Sequence, residues 1–367
     1  MKKILSVILI CAALCVMLSS CGGETLTLKV YNWGEYISEG AEGSYYTVKE
    51  FEKWYQKEYG KKVRVIYDTF NSNEDMYSKI SAGAVSYDIA IPSDYMIARM
   101  IKEGMLEKID FSNIPNYSTL NDSFKDLYYD PTNEYSVPYT YGIVGIIYDA
   151  NQVDEADAEG WDILWDPKYS GGILQYNNPR DAFGTAMYKL GIDVNTTDKA
   201  DWDRAAEELK AQYPLVYSLV MDEIYNLMET GEAKVGSYYA GDYFTMLDAQ
   251  SDNVDLRFYY PDPTNYYVDA MVILKGTENK ELAESFINFM MSRDAAVANA
   301  EYTYYASPYE VVYTDEEYLE DLGEETIDIL YPPIDNFAEQ YNKYAYRNLP
   351  ADLLDYINTL WEKVKIN

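Results

Sequence analysis

With 367 residues, 48% of them hydrophobic and 25% charged, the chain is long enough for two ordinary domains and apolar enough to pack them, which excludes a disordered polymer. Against 29 Lys and Arg stand 62 Asp and Glu, a formal net charge of −33, the wrong sign for neutralising phosphates; nucleic-acid binding is disfavoured and a cationic partner comes into view. The chain has no His, which removes imidazole-based triads and His-ligated metal centres.

The first segment reads "MKKILSVILICAALCVMLSSC". Lys2 and Lys3 precede an apolar run from Ile4 to Met17, and Leu18-Ser19-Ser20-Cys21 resembles a bacterial lipobox. The expectation is a lipoprotein signal peptide over residues 1–21, with Cys21 lipidated as the first residue of the mature chain and residues 22–25 as a tether. Cys11 and Cys15 leave with the signal, so no internal disulfide or thiolate metal site can form. This places the body outside the cytoplasm, held to the membrane by lipid alone.

Beyond the tether, "LTLKVY" alternates as a strand, and Val48, Phe51 and Tyr55 recur at helical spacing up to a stop at Gly60. "KVRVIYDTF" is a second strand, "SNEDMYSKISAG" a capped helix, "YDIAIPS" a third strand, and a helix follows from about Tyr95 to Gly104. Such β–α alternation predicts a parallel, doubly wound sheet, in which ligands sit beyond the carboxyl ends of strands. A second α/β unit has strands at Gly142–Tyr148, before Asn177, before Tyr239 and over Tyr266–Gly276, and Pro138 offers a place for the chain to cross between units. "KELAESFINFMMS" and "LPADLLDYINTLWEKVK" read as amphipathic helices.

Four short stretches set aromatic or basic residues beside acids at these strand ends: Trp33/Glu35/Tyr36, Arg180/Asp181, Tyr239/Asp242 and Tyr267/Asp269. Facing one another across a cleft, they would make an aromatic box with carboxylates at its ends. An aliphatic polyamine suits such a box, because each ammonium is a donor-only cation that pairs with a carboxylate while the methylene linker lies on ring faces. Two other readings share these residues. Paired carboxylates can hydrolyse glycosides, and a sugar- or iron-binding protein could share the architecture with a different lining. No P-loop and no GxGxxG stands at a strand–helix turn.

Taken together, "YNWGEY", "IPSDY", "GIIYD", "WDILWDPKYSGG", "NNPRDAF", "YYAGDYF" and "YYVDAMVIL" resemble the motifs of the spermidine/putrescine substrate-binding family of bacterial ABC importers, from about Leu26 to the C-terminus. The resemblance implies a bilobal periplasmic-binding-protein-like fold of two doubly wound α/β lobes joined by a hinge. Lobe 1 would comprise 26–137 and about 270–315, lobe 2 138–269 and about 316–367. Trp33, Tyr36, Tyr95, Tyr239 and Tyr267 would wall the methylene chain, and Ser93 and the Gly34 backbone would line the box. Asp181, Asp269, Glu35 and Asp242 would hold the amines. Asn178 stands where spermidine-preferring members have a carboxylate, while Asp242 resembles the putrescine-preferring kind. The implied partners are a polyamine and the permease subunits of an ABC importer, with a monomer as the default. No catalysis, cofactor or metal is implied.

Overall fold

The computed structural model describes residues 25–83, 85–331 and 334–366; the signal segment, Cys21 and most of the tether lie outside these. Strand β1 (Leu26–Trp33) runs parallel to both β2 (Val63–Phe70) and β3 (Ile89–Ala90). Between β1 and β2, α1 (Thr47–Tyr59) buries Val48, Phe51 and Tyr55 and stops at Gly60, whose φ of 68° a side chain would resist. Helix α2 (Asn73–Ser81) begins where the Ser72 hydroxyl accepts the Asp75 N–H, and α3 (Asp94–Lys102) follows β3.

Next comes β4 (Ser136–Asp149), fourteen residues buried along their whole length. After it run β5 (Ile173–Tyr176), α4 (Pro179–Leu190), α5 (Lys199–Gln212), β6 (Val216–Val220), α6 (Glu223–Glu229), β7 (Val235–Tyr239), α7 (Ala240–Ala249), β8 (Leu256–Tyr259) and β9 (Tyr266–Ile273). Helices α8 (Lys280–Met290), α9 (Arg293–Thr303), α10 (Glu310–Tyr313), α11 (Glu316–Leu322), α12 (Glu324–Leu330), α13 (Ile334–Tyr344) and α14 (Ala351–Lys365) complete the described chain. The strands join in one sheet of order β2-β1-β3-β9-β4-β7-β5-β6, with β8 also on β4.

Two apolar cores flank this sheet, and they divide inside β4. From Ser136 to Ile143 the strand pairs with β9, and from Val144 to Tyr148 with β7. The chain therefore crosses at Ile143, not at Pro138. Pro138 lies within the β9 pairing, opposite Ala270, beside a register shift that accommodates its missing N–H. The return crossing is Thr264-Asn265, where the Asn265 carbonyl accepts the Val144 N–H at 3.0 Å. Tyr267 thus packs in the first core instead of the second lobe expected for residues up to 269. The C-terminal boundary also moves. Phe337 and Tyr341 of α13 pack in the first core, Phe337 with its ring 4.9 Å from Tyr141, while Leu330 and residues from Tyr346 onward are buried in the second, with Leu322, Ile329, Tyr331 and Tyr344 packed against it. Ring-rich α13 follows the aromatic face that Phe124 and Tyr141 offer it. Among the described residues no helix is long and apolar enough to cross a membrane.

Candidate ligand-binding site

The carboxyl ends of the parallel strands in both cores face one cleft of about 690 Å³, counting its open mouth. The first core contributes Trp33 and Gly34 at the end of β1, Tyr36 just beyond, Ser93 and Tyr95 at the start of α3, and Tyr267 and Asp269 on β9. Asp181 in the first turn of α4, Tyr239 at the end of β7 and Asp242 in the first turn of α7 come from the other side. At Gly34 the two walls come close: a β-carbon there would sit 3.0 Å from Asp222 Oδ2 across the cleft, so that a larger residue would push the Asp222 side chain aside.

Two expected residues stand apart. Glu35 is exposed in a left-handed turn, φ 48°, and reaches the cleft only through its charge, which helps raise Asp222 and Asp242. Asn178 caps α4: its Oδ1 accepts the Asp181 N–H at 2.9 Å and its Nδ2 donates to Asp181 Oδ2 at 2.7 Å. It orients an acid and does not line the cleft.

The electrostatics follow from burial without countercharge. Asp269 is 4% exposed, and desolvation, with a smaller push from Asp181, raises its carboxyl to about 6 although Ser93 and Tyr36 hydrogen bonds pull the other way. Tyr36 Oη donates to Asp269 Oδ2 at 2.7 Å and also meets the Thr140 hydroxyl. Desolvation lifts Asp242 to about 7, against donations from Tyr225 Oη at 2.6 Å and Tyr305 Oη at 2.9 Å. Burial likewise lifts Asp94 to about 7, partly offset by Tyr341 Oη at 2.9 Å. Asp181 is raised by the same cause, with Asn178 and then Tyr239, 3.1 Å away, opposing.

No Lys or Arg is among the described residues lining this cleft. Four buried lining atoms have no hydrogen-bond partner: Trp33 Nε1, Asn265 Oδ1, Tyr267 Oη and Asp269 Oδ1. Among the described residues no three acidic groups cluster so as to hold one metal ion, so the carboxylates are spaced along the cleft. Ring faces fill the intervals: Tyr239 and Tyr267 meet edge to face at 5.4 Å and 77°, Tyr36 and Tyr305 at 4.5 Å and 79°. Chemically this is a slot for an elongated ligand that is rich in donors, positively charged and apolar between its charges.

A family model described as "Bacterial extracellular solute-binding protein" matches residues 47–323. The chain belongs to that family. The spermidine/putrescine-binding periplasmic protein of Escherichia coli K12 is 34% identical over 313 residues, 84% of this chain and 85% of that one. Among solved structures, the spermidine/putrescine substrate-binding protein PotD of Streptococcus pneumoniae aligns with TM-score 0.72 and 32% identity, covering 93% of this chain and 99% of its own. The Tp0655 (TpPotD) lipoprotein of Treponema pallidum aligns with TM-score 0.74 and 26% identity, covering 93% and 100%.

This solute-binding protein also lines its cleft with residues that the sequence reading missed. Asn73 Nδ2 bonds Ser93 Oγ at 3.0 Å and Tyr95 Oη at 3.1 Å, setting the orientation of both. Asp222 and Tyr225 follow β6, and the acid-plus-aromatic pattern of "MDEIY" would have been a usable signal had "VYSLV" been read as a strand. Tyr305 and Tyr346 lie in loops with no local signal.

Proposed function

We propose that this extracellular solute-binding protein captures putrescine and spermidine and hands them to the permease subunits of an ABC importer. The observation behind it is the set of Asp181, Asp242 and Asp269 spaced among tyrosine faces in a cleft with no lining cation among the described residues. Each ammonium would pair with a carboxylate, and the methylenes between would lie on Trp33, Tyr239 and Tyr267. A cation on a ring gains about 0.5–2 kcal/mol, and each methylene leaving water about 0.8 kcal/mol. For the four methylenes and two ammoniums of putrescine these terms come to about 4–7 kcal/mol, so the remainder of the roughly 8 kcal/mol of micromolar affinity, and the ordering costs, fall to the charge-assisted hydrogen bonds with the carboxylates. A neutral sugar would use the rings but leave the buried carboxylates without countercharge, and a single metal ion would leave them too far apart. The relatives named for spermidine and putrescine support the same ligand class.

Transport needs capture, closure of the two halves and release, with no bond made or broken, so the protein is a carrier and not an enzyme. The lipobox ending in Cys21, together with a relative described as a lipoprotein, supports a lipid anchor on the extracytoplasmic face with the folded body on a tether. Calorimetric titration of the mature chain against putrescine, spermidine, maltooligosaccharides and iron(III) tests the reading. Saturable binding of the two polyamines alone is expected, and a sugar or iron isotherm without a polyamine response contradicts it.

A further inference from the structure

The two ends of the cleft differ in what stands behind them. At one end the lining residue Asp222 is exposed, so the cleft opens to solvent there, with the charge of Glu35 acting from outside the lining. At the Asp181 end it stops against Tyr346 and Tyr95, whose rings meet at 6.1 Å and 75°. Tyr346 is 5% exposed. Its hydroxyl lies over Gly184, one turn along α4 from Asp181, so closely that a β-carbon on Gly184 would come within 2.1 Å. The same hydroxyl helps hold the Asp181 charge.

The wall is braced from both cores. Tyr128 Oη donates to the Tyr346 carbonyl, Tyr188 Oη to the Tyr344 carbonyl at 2.9 Å, and Asn195 Nδ2 to the Ala345 carbonyl at 2.9 Å. The Arg180 guanidinium lies 4.2 Å from the Tyr346 ring centroid, its two terminal nitrogens donating to the Val194 carbonyl and Asn195 Oδ1. Beyond Tyr95 is a second crevice lined by Arg99, Arg180 and Arg347, with Glu74 the one acid among its described lining residues. Glu74 Oε1 accepts the Tyr95 hydroxyl at 3.0 Å. Arg99 is paired with Glu103 at 3.1 Å, which leaves Arg180 and Arg347 facing Glu74, and this excess of guanidinium charge makes the crevice disfavour an ammonium that tried to extend past the wall.

We infer that Tyr346 and Tyr95 form an end wall against which the cleft reads one unsubstituted terminal ammonium, while the exposed Asp222 mouth tolerates substituents on the other amine. Resting on the polyamine reading, this narrows the ligand class to polyamines with at least one free aminoalkyl end, and it makes Tyr346 a specificity-determining residue. Putrescine, N-ethylputrescine and N,N′-diethylputrescine probe it, because all three carry two positive charges and differ only in how many ends are substituted. The expected result is N-ethylputrescine within about threefold of putrescine and N,N′-diethylputrescine weaker by about 100-fold, the scale on which a packed pocket rejects extra methylenes.

Tyr346→Ala should restore the diethyl compound relative to putrescine by about tenfold, and Tyr346→Phe, which keeps the ring, should leave the ratio unchanged. Equal tolerance or equal rejection of the two derivatives by the wild-type chain overturns the end wall, and that ratio decides even where Tyr346→Ala does not fold. Absence of putrescine binding is a different result: it overturns the polyamine reading beneath.

Discussion

The two walls of the cleft place their acids by different means. On the first-core wall, sheet register does it: Asp269 lies opposite Thr140 between β4 and β3, and its neighbour Tyr267 lies opposite Gly142, where a β-carbon would meet the Tyr267 hydroxyl at 2.5 Å. On the opposite wall Asp181 and Asp242 occupy first helical turns, where the helix dipole and local donors favour the charged form. Asp242 has both oxygens bonded by tyrosines, whereas Asp269 keeps Oδ1 without a partner. The strand-borne acid is thus under-satisfied, whereas Asp242 is satisfied by tyrosines from neighbouring elements and Asp181 by its own helix cap, Asn178, and by Tyr239. A cation should matter most to the former.

The largest effect expected is from Asp269→Asn, which should weaken putrescine binding by about 2–5 kcal/mol while leaving the unliganded chain at least as stable, because a buried charge without countercharge is removed. Titration and thermal melting check both halves; unchanged affinity would remove Asp269 from the cation site.

Next comes the pH dependence of the empty protein. Asp94 and Asp242 at about 7 and Asp269 at about 6 have folded values above the ordinary 3.8. Their stabilising contribution is full below the unfolded value and is lost as pH rises through about 6 to 7. The unliganded melting temperature should therefore rise as pH is lowered from 8 to about 5, and saturating putrescine should flatten the trend. A melting temperature that falls over that interval without ligand contradicts this account of the cleft.

Asn178→Ala should cost about 1 kcal/mol of stability through the lost cap, with a smaller loss of affinity through a reoriented Asp181. If its affinity loss matched that of Asp269→Asn, Asn178 would be a direct contact. Smallest is Glu35→Gln, at most about 1 kcal/mol and fading at high salt, since the group is exposed. A larger, salt-independent loss would bring Glu35 into the cleft on ligand binding.

The same contrast explains how much could be read from the sequence. Acids at strand ends were legible because doubly wound sheets bring those ends together, so Trp33, Asp181, Tyr239, Asp242 and Asp269 meet as expected from spacing and pattern. β1, α1 and α2 announced themselves by periodicity and capping. β4 hid its length, because a strand covered on both faces has no alternation, and its start was placed at Gly142 instead of Ser136. β6 went unseen, and with it Asp222 and Tyr225. Tyr305 and Tyr346 could not be singled out in a chain with 41 tyrosines, since a loop residue owes its place to tertiary packing and not to its neighbours.

The cleft is short of positive charge until its ligand arrives. Titrating putrescine from pH 5 to 8 in buffers of different ionisation heat tests this directly. Carboxyls held at about 6 to 7 in the free protein must ionise to pair with the ligand, so binding near pH 6.5 should release protons and affinity should climb with pH. Affinity that is independent of pH, with no proton released, would contradict it.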